Sequence, residues 1–169
     1  MINEKLEHAF CVQINKELYS AYLYLAMQTY FKDMNLDGFA NWMAVQVQEE
    51  LAHAMGMYNY VLERGGKVTL MSVDKPEDSW NSPLNVFEKV LEHEEYVTSL
   101  INELTSVAEE VKDRAAISLL QWYIKEQVEE EANVSNVLGN LKLAQNDPRA
   151  LLLLDRELAT RTFVAPVIA

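Results

Sequence analysis

The chain has 169 residues, which is enough for one domain with a real core and too short for two comfortable ones. Hydrophobic residues make up 50%, against only 5 glycines and 4 prolines, which argues against disorder and favours an all-α domain. The formal net charge of −12 should repel nucleic acid and anionic membranes and attract cations, although an acidic surface also serves solubility alone.

Two long helices are predicted first. Apolar residues recur at helical spacing from about residue 3 to residue 32, without proline or glycine. A short polar turn leads to a second helix over about 37–64, and Gly65 and Gly66 end it, as glycines commonly do. Because the turn is short, the second helix should fold back antiparallel to the first.

A long connection is predicted next. The segment 67–82 differs in composition, contains Pro76 and is too long for a turn between neighbouring helices. We therefore expect an extended crossover along a bundle. A third helix over about 83–110 should begin with Ser82 as its N-cap and Pro83 in its first position.

A fourth helix is predicted over about 113–144, and residues 145–148 should break it and start a short fifth helix over about 148–161. The apolar run Leu151–Leu154 on the fifth helix is consistent with a subunit interface, or it could cap its own bundle. The tail, 163–169, is expected to be loose. The whole chain is thus predicted to be a single four-helix domain, 1–169, with a fifth short helix.

Each apolar stripe is interrupted near its middle by polar residues. The helix midpoints fall near residues 18, 50, 96 and 128. At about 1.5 Å rise per residue, the polar positions lie within roughly 5 Å of one level, and antiparallel packing should bring them together at the bundle centre. They are Glu17, Glu50, His53, Glu94, Gln127 and Glu130.

The spacing of these residues points to one shared site. Glu50 and His53 are three residues apart, which puts both side chains on one helix face, and Gln127 and Glu130 repeat this spacing. A single Glu-x-x-His is a weak signal because it recurs by chance in Glu-rich helices. Four helices that each supply a ligand type at one height form a much more specific pattern.

The charge of the predicted cluster favours metal. A buried carboxylate without a partner costs several kcal/mol, and the stripes offer no Lys or Arg at this level. Four glutamates would carry a charge that two divalent iron ions balance. Oxygen ligands with one imidazole suit iron or manganese, whereas structural zinc would more often show cysteine or several histidines.

Three segments resemble the signature segments of prokaryotic non-haem ferritins: Glu17–Tyr24, Gln48–His53 and Leu120–Glu131. The resemblance covers essentially the whole chain. It implies a ferritin-like bundle, with the long crossover between helices two and three, that acts as a ferroxidase and oxidises Fe(II) with O2 or H2O2. It also implies a hollow shell of twenty-four identical subunits that stores the product as a ferric oxyhydroxide mineral core.

The resemblance implies five iron ligands: Glu17, Glu50 and His53 at one iron, and Glu50, Glu94 and Glu130 at the second, with Glu50 bridging the two. Gln127 would lie beside the site and hydrogen-bond a ligand or a bound oxygen species. Tyr24 matches the family's tyrosine near the iron pair, where it can supply an electron or a hydrogen bond. A third iron site toward the cavity would use Glu130 with Glu49, Glu126 and Glu129, for which a solvated acidic face is the alternative.

Relatives with other functions fit less well. Bacterioferritin places its haem-ligating methionine where this chain has Leu51, and a histidine where it has Glu130, so no haem is expected. A rubrerythrin would need that histidine and usually a cysteine-rich domain, which the single Cys11 excludes. DNA-coating mini-ferritins build their site between subunits. A non-catalytic scaffold or storage subunit should lack the ligands.

Localisation is predicted from weak signals. Cys11 cannot form an internal disulfide, which fits a reducing cytoplasm. The N-terminal segment has no long apolar run, so no signal peptide is expected. We therefore predict a cytoplasmic homo-oligomer without nucleic-acid or membrane partners.

Overall fold

Five helices form the regular structure in a computed structural model that describes residues 1–145 and 147–168. They are α1 to α5, at Glu4–Asp33, Asp37–Glu63, Pro83–Glu110, Arg114–Ala144 and Pro148–Leu158. Neither described range contains a strand. The predicted all-α fold, four long helices with a crossover between the second and third and a short fifth helix, is therefore confirmed.

The predicted bounds of the four long helices agree with the structure to within one residue. The start of α4 shows why one such difference arises. The Asp113 side chain accepts a hydrogen bond from the Ala116 N–H at 3.1 Å, which makes Asp113 the N-cap and Arg114 the first helical residue. Asn146, which belongs to the predicted break before α5, lies outside the described residues.

The turns that fold each helix pair back on itself are built alike. Asn35 between α1 and α2, and Lys112 between α3 and α4, both have φ of 58°. In each turn the next residue donates its N–H to a carbonyl in the last turn of the preceding helix, at 3.0 Å. This left-handed termination satisfies the carbonyl groups that the helix end leaves unpaired, and it reverses the chain in three residues.

The crossover lies along α1, as predicted. Glu7, Cys11 and Asn15 are spaced four residues apart and therefore share one face of α1. Their side chains bind the backbone of segment 67–72 at 3.1, 3.4 and 3.1 Å respectively. Cys11 thus accepts a backbone hydrogen bond beneath the crossover, which ties this long connection to the bundle.

Helix α5 packs across the start of α2. The Asp155 Oδ1 atom accepts hydrogen bonds from the backbone N–H groups of Gly38 and Phe39 at 2.8 and 3.0 Å. It therefore caps α2, whose own preceding residue, Leu36, supplies no side-chain cap. Glycine is required at position 38, because a Cβ there would lie 1.6 Å from the Asp155 carbonyl oxygen.

The apolar residues of α5 divide between the two roles predicted for them. Leu154 and Leu158 are buried against the bundle, so part of α5 caps its own subunit. Leu152 and Leu153 are 53% and 67% exposed and remain available for an interface.

The end of α5 and the tail correct two predictions. The helix ends at Leu158 rather than 161, because the Thr160 N–H bonds to the Glu157 carbonyl at 3.0 Å and tightens the last turn, and residues 161–168 form no helix or strand. The described part of the predicted tail, 163–168, is not loose, because Ile168 packs on the bundle, and Arg161 just before it is ion-paired to α2. Half-buried side chains at Phe163, Pro166 and Ile168 hold the described part of the tail, which ends at residue 168.

The core consists of two apolar clusters with a polar layer between them. One cluster is built on Phe31, Phe39 and Phe87, near the α1–α2 turn, and the other on Phe10 and Leu120, toward the opposite end of the bundle. Helices that bury hydrocarbon at both ends thereby fix the height of the polar residues at their middle. Within the described part of the chain, no helix is long and apolar enough to cross a membrane.

Candidate metal centre

All six polar residues predicted to meet at the bundle centre are buried. Each of the four long helices contributes at least one of them, and their relative exposure is 5% or less. The buried polar side chains of the described residues are Gln13, Glu17, Ser20, Gln46, Glu50, His53, Glu94, Gln127 and Glu130.

The first compact group consists of Glu17, Glu50 and His53, each of which offers a ligand atom within 4.8 Å of the others. The spacing on α2 places His53 Nδ1 3.7 Å from Glu50 Oε2. The atoms Glu50 Oε2 and His53 Nε2 are buried without any hydrogen-bond partner. Buried polar atoms are nearly always satisfied, so these two are available to bind a cation.

A second compact group consists of His53, Glu126 and Glu130, again within 4.8 Å of one another. His53 Nε2 lies 3.8 Å from Glu126 Oε1, and Glu126 is partly exposed. His53 therefore belongs to both groups, and Glu126 connects the buried centre to the α4 surface.

Glu94 joins neither compact group. Its carboxylate accepts hydrogen bonds from the Tyr24 hydroxyl and from Gln127 Nε2, the latter at 3.2 Å. Burial, and after it the negative charge of Glu94, raises the pKa of Glu130. Tyr24 and Gln127 thus both donate to the carboxylate of α3.

Buried amides hold two further carboxylates. Gln13 Nε2 donates to Glu17 Oε1 at 2.8 Å, and Gln46 Nε2 donates to Glu130 Oε2 at 3.1 Å. The sequence did not single out either glutamine as a site residue. A signal existed, since each precedes a seam glutamate by four residues and so shares its helix face. Such partners orient a ligand and leave its second oxygen for the metal.

The centre holds protons in the absence of metal. Burial raises the pKa of Glu94 to about 7 and that of Glu130 to about 8, and it raises the pKa of Glu50 well above its usual range. Burial alone would lower the pKa of His53, but the neighbouring carboxylates of Glu126 and Glu50, at 3.8 and 3.7 Å from its ring nitrogens, raise it well above the ordinary value. A metal ion must displace these protons in order to bind.

The glutamates predicted for a third iron site differ in their surroundings. Glu49 is 19% exposed and pairs with Arg161, whose Nη2 lies 2.7 Å from Glu49 Oε2. Burial raises the pKa of Glu49, Arg161 lowers it, and the charges of Glu126 and Glu129 raise it. Glu129 is exposed, so the alternative of a solvated acidic face describes Glu129 better than Glu49 or Glu126.

Comparison with known proteins agrees with this architecture. The ferritin-like domain family matches residues 8–144. Bacterial non-heme ferritins of Bacteroides fragilis and Staphylococcus aureus are 39% and 37% identical over 161 and 163 residues. These alignments cover 95% and 96% of this chain and 100% and 98% of the relatives. This chain belongs to the ferritin family.

Solved structures extend the likeness of this ferritin to three dimensions. An open-pore ferritin from the archaeon Archaeoglobus fulgidus is 52% identical, with a TM-score of 0.95, and covers 96% of this chain and 100% of that one. A form of the Archaeoglobus fulgidus ferritin engineered to be closed, also 52% identical, gives a TM-score of 0.96, with 97% and 100% covered.

Three further residues of this ferritin touch the centre and were not predicted from the sequence. Tyr123 donates its hydroxyl to the His53 carbonyl at 2.9 Å, and the Trp122 ring lies edge-on to the His53 ring at 5.6 Å. Both lie within the α4 signature segment, Leu120–Glu131, so their proximity could have been inferred from helical phase. The position of Arg161 could not have been inferred in this way, because it lies after the end of α5 in a segment without helical periodicity.

Proposed function

We propose that this ferritin is an iron-storage subunit with ferroxidase activity at its buried centre. The observation that carries the proposal is the pair of unsatisfied atoms, Glu50 Oε2 and His53 Nε2, among carboxylates walled in by hydrocarbon. Carboxylate oxygens with one imidazole suit iron. The proposed ligands are Glu17, Glu50 and His53 for one iron, and Glu50, Glu94 and Glu130 for the second, with Glu50 bridging.

The proposed reaction balances as a two-electron oxidation. Each of two Fe(II) substrate ions gives up one electron, and dioxygen takes both together with two protons to form hydrogen peroxide. Hydrogen peroxide as oxidant takes two electrons and two protons and yields two water molecules. The anionic ligands favour Fe(III) over Fe(II) and so lower the reduction potential of the bound ions.

Particular side chains support this reaction. Burial raises the pKa of Glu94 to about 7 and that of Glu130 to about 8, so near neutral pH Glu94 is partly and Glu130 mostly protonated when metal is absent, and their deprotonation accompanies Fe(II) binding. Tyr24 is fully buried and donates to Glu94, which places its phenol where it can supply a hydrogen bond or an electron to the pair. Gln127 holds the other oxygen of Glu94 and keeps that carboxylate in place.

Storage requires an enclosed volume, and we propose that twenty-four copies form it around a ferric oxyhydroxide core in the cytoplasm. Support comes from apolar side chains that the single subunit leaves exposed. Tyr22, Leu25 and Leu51 are 48%, 46% and 43% exposed and line a groove of about 310 Å³ between α1 and α2. Contiguous exposed apolar surface of this kind marks an association site.

The direct test is aerobic addition of Fe(II) to wild type and to Glu50→Ala, with ferric absorbance followed over time. We expect rapid oxidation in wild type only, since Glu50 belongs to both proposed iron sites. Glu95→Ala is the matched control, because it removes the same charge from an exposed position of α3. Size-exclusion chromatography of all three proteins checks assembly. Equal oxidation rates in wild type and Glu50→Ala would defeat the ferroxidase proposal.

A further inference from the structure

Arg161 comes directly after the turn that ends α5, and its side chain packs against α2. Its guanidinium lies 4.6 Å from the centre of the Trp42 ring and donates to the Trp42 carbonyl at 3.3 Å. Asn41 Nδ2 donates to the Arg161 carbonyl at 2.9 Å. With these contacts the arginine is already oriented toward its carboxylate partner, Glu49, at 2.7 Å.

The end of the tail makes a second contact with α2. Ile168 packs where α2 has no side chain, since a Cβ on Gly56 would lie 2.6 Å from Ile168 Cδ1 and 2.5 Å from the Tyr123 hydroxyl. Tyr123 in turn bonds to the His53 carbonyl. The tail is therefore anchored on both sides of the α2 segment that carries Glu49 and His53.

Glu49 lies at the edge of the second compact group. Glu49 precedes His53 by four residues on α2 and so shares its helix face, and ligand atoms of His53, Glu126 and Glu130 lie within 4.8 Å of one another. Glu49 nevertheless stays outside the group of ligand atoms within 4.8 Å, and its carboxylate instead meets a guanidinium. Arginine does not lose its proton in proteins, so this positive charge persists at any working pH.

We propose that Arg161 is a built-in counter-ion that competes with metal for Glu49 and thereby weakens the outer cation site formed with His53, Glu126 and Glu130. A cation that binds Glu49 there must break a pair whose two side chains are only 21% and 19% exposed. Arg161 thus acts as a positioning residue that sets how readily an ion occupies the outer site. The inference rests on metal binding at the proposed centre.

The test is anaerobic calorimetric titration of Zn²⁺ into the assembled, metal-free protein. Wild type is compared with Arg161→Gln, and with Arg156→Gln as matched control, because Arg156 is exposed on α5 and loses the same charge. We expect two tightly bound ions per chain in all three proteins. The next ion should bind roughly tenfold more tightly in Arg161→Gln alone, the size of a typical coupling between neighbouring sites.

Two further variants distinguish competition between Arg161 and metal for Glu49 from a merely structural role of Arg161. Arg161→Lys keeps the charge and should restore nearly the wild-type affinity for the outer ion. Glu49→Gln should abolish the effect of Arg161→Gln, since the contested carboxylate is gone. Thermal melting of each variant shows that it is folded before titration.

The titration distinguishes failure of the inference about Arg161 from failure of the proposed function. The inference is overturned if Arg161→Gln binds the outer ion no more tightly than wild type, if neither protein binds one, or if Arg156→Gln gives the same change. Failure of wild type to bind the two inner ions would instead contradict the proposed function. Because the inference rests on metal binding at that centre, it would fall together with the proposed function in that case.

Discussion

The stability of the metal-free protein should fall as pH rises across neutrality. Burial raises the pKa of Glu94 from 4.5 to about 7 and that of Glu130 from 4.5 to about 8. The folded chain therefore keeps protons that the unfolded chain has lost. The resulting stabilisation is fully present below the unfolded pKa of 4.5 and is lost as pH rises through the folded values.

The size of this effect follows from the shift at Glu94. A tenfold change in proton affinity is worth about 1.4 kcal/mol, so a pKa that moves from 4.5 to about 7 contributes roughly 3 kcal/mol. For a chain of this size, each 1 kcal/mol moves the melting temperature by about 2–4 °C. Glu94 alone should therefore lower the melting temperature by about 6–12 °C between about pH 5 and about pH 8.

The assay is thermal unfolding of chelator-treated protein across that pH interval. Glu94→Gln cannot titrate at this position and should show a shallower decline than wild type. Glu95→Gln is the control, because it removes one carboxylate from an exposed position on the same helix. Zn²⁺ should reverse the trend, since metal binds the deprotonated ligands and stabilises the fold more as pH rises.

Two results would refute this reasoning. Stability of the metal-free protein that rises between about pH 5 and about pH 8 would show that the buried carboxylates are charged in the folded state. An identical decline in wild type and Glu94→Gln would show that the pH dependence comes from the general negative charge of the chain rather than from the centre.

Gly38→Ala should destabilise the protein by about 1–3 kcal/mol in urea unfolding, because its Cβ would lie 1.6 Å from the Asp155 carbonyl oxygen. Gly139→Ala on α4 should instead stabilise the protein by about 0.5–1 kcal/mol, because nothing lies within 4 Å of a Cβ added there. Equal effects of the two substitutions would mean that Gly38 does not hold α5 in place. Gln46→Leu removes the amide that holds Glu130 at 3.1 Å and should weaken Zn²⁺ binding about tenfold in calorimetric titration. Unchanged affinity would show that this amide does not orient the carboxylate.

The sequence alone determined which residues meet at the centre. Side chains at i and i+3 on one helix share a face whatever surrounds the helix, so Glu50 and His53 had to point the same way. Four helices of similar length, reversed by short turns, had to bring their midpoints to one level. Burial of Glu17, Glu94 and Glu130 therefore follows from periodicity and helix length, which are local properties of the chain.

Only the tertiary structure decided which of those residues form each compact group and which side chains surround them. His53 is shared between two compact groups, while Glu94 stands apart with Tyr24 and Gln127, because the rotation of each helix about its axis depends on packing against its neighbours. The Arg161–Glu49 pair joins residues 112 positions apart. The tail is not helical and so has no helical period, and its position depends on the space that Gly56 of α2 leaves beside Tyr123 of α4 for Ile168.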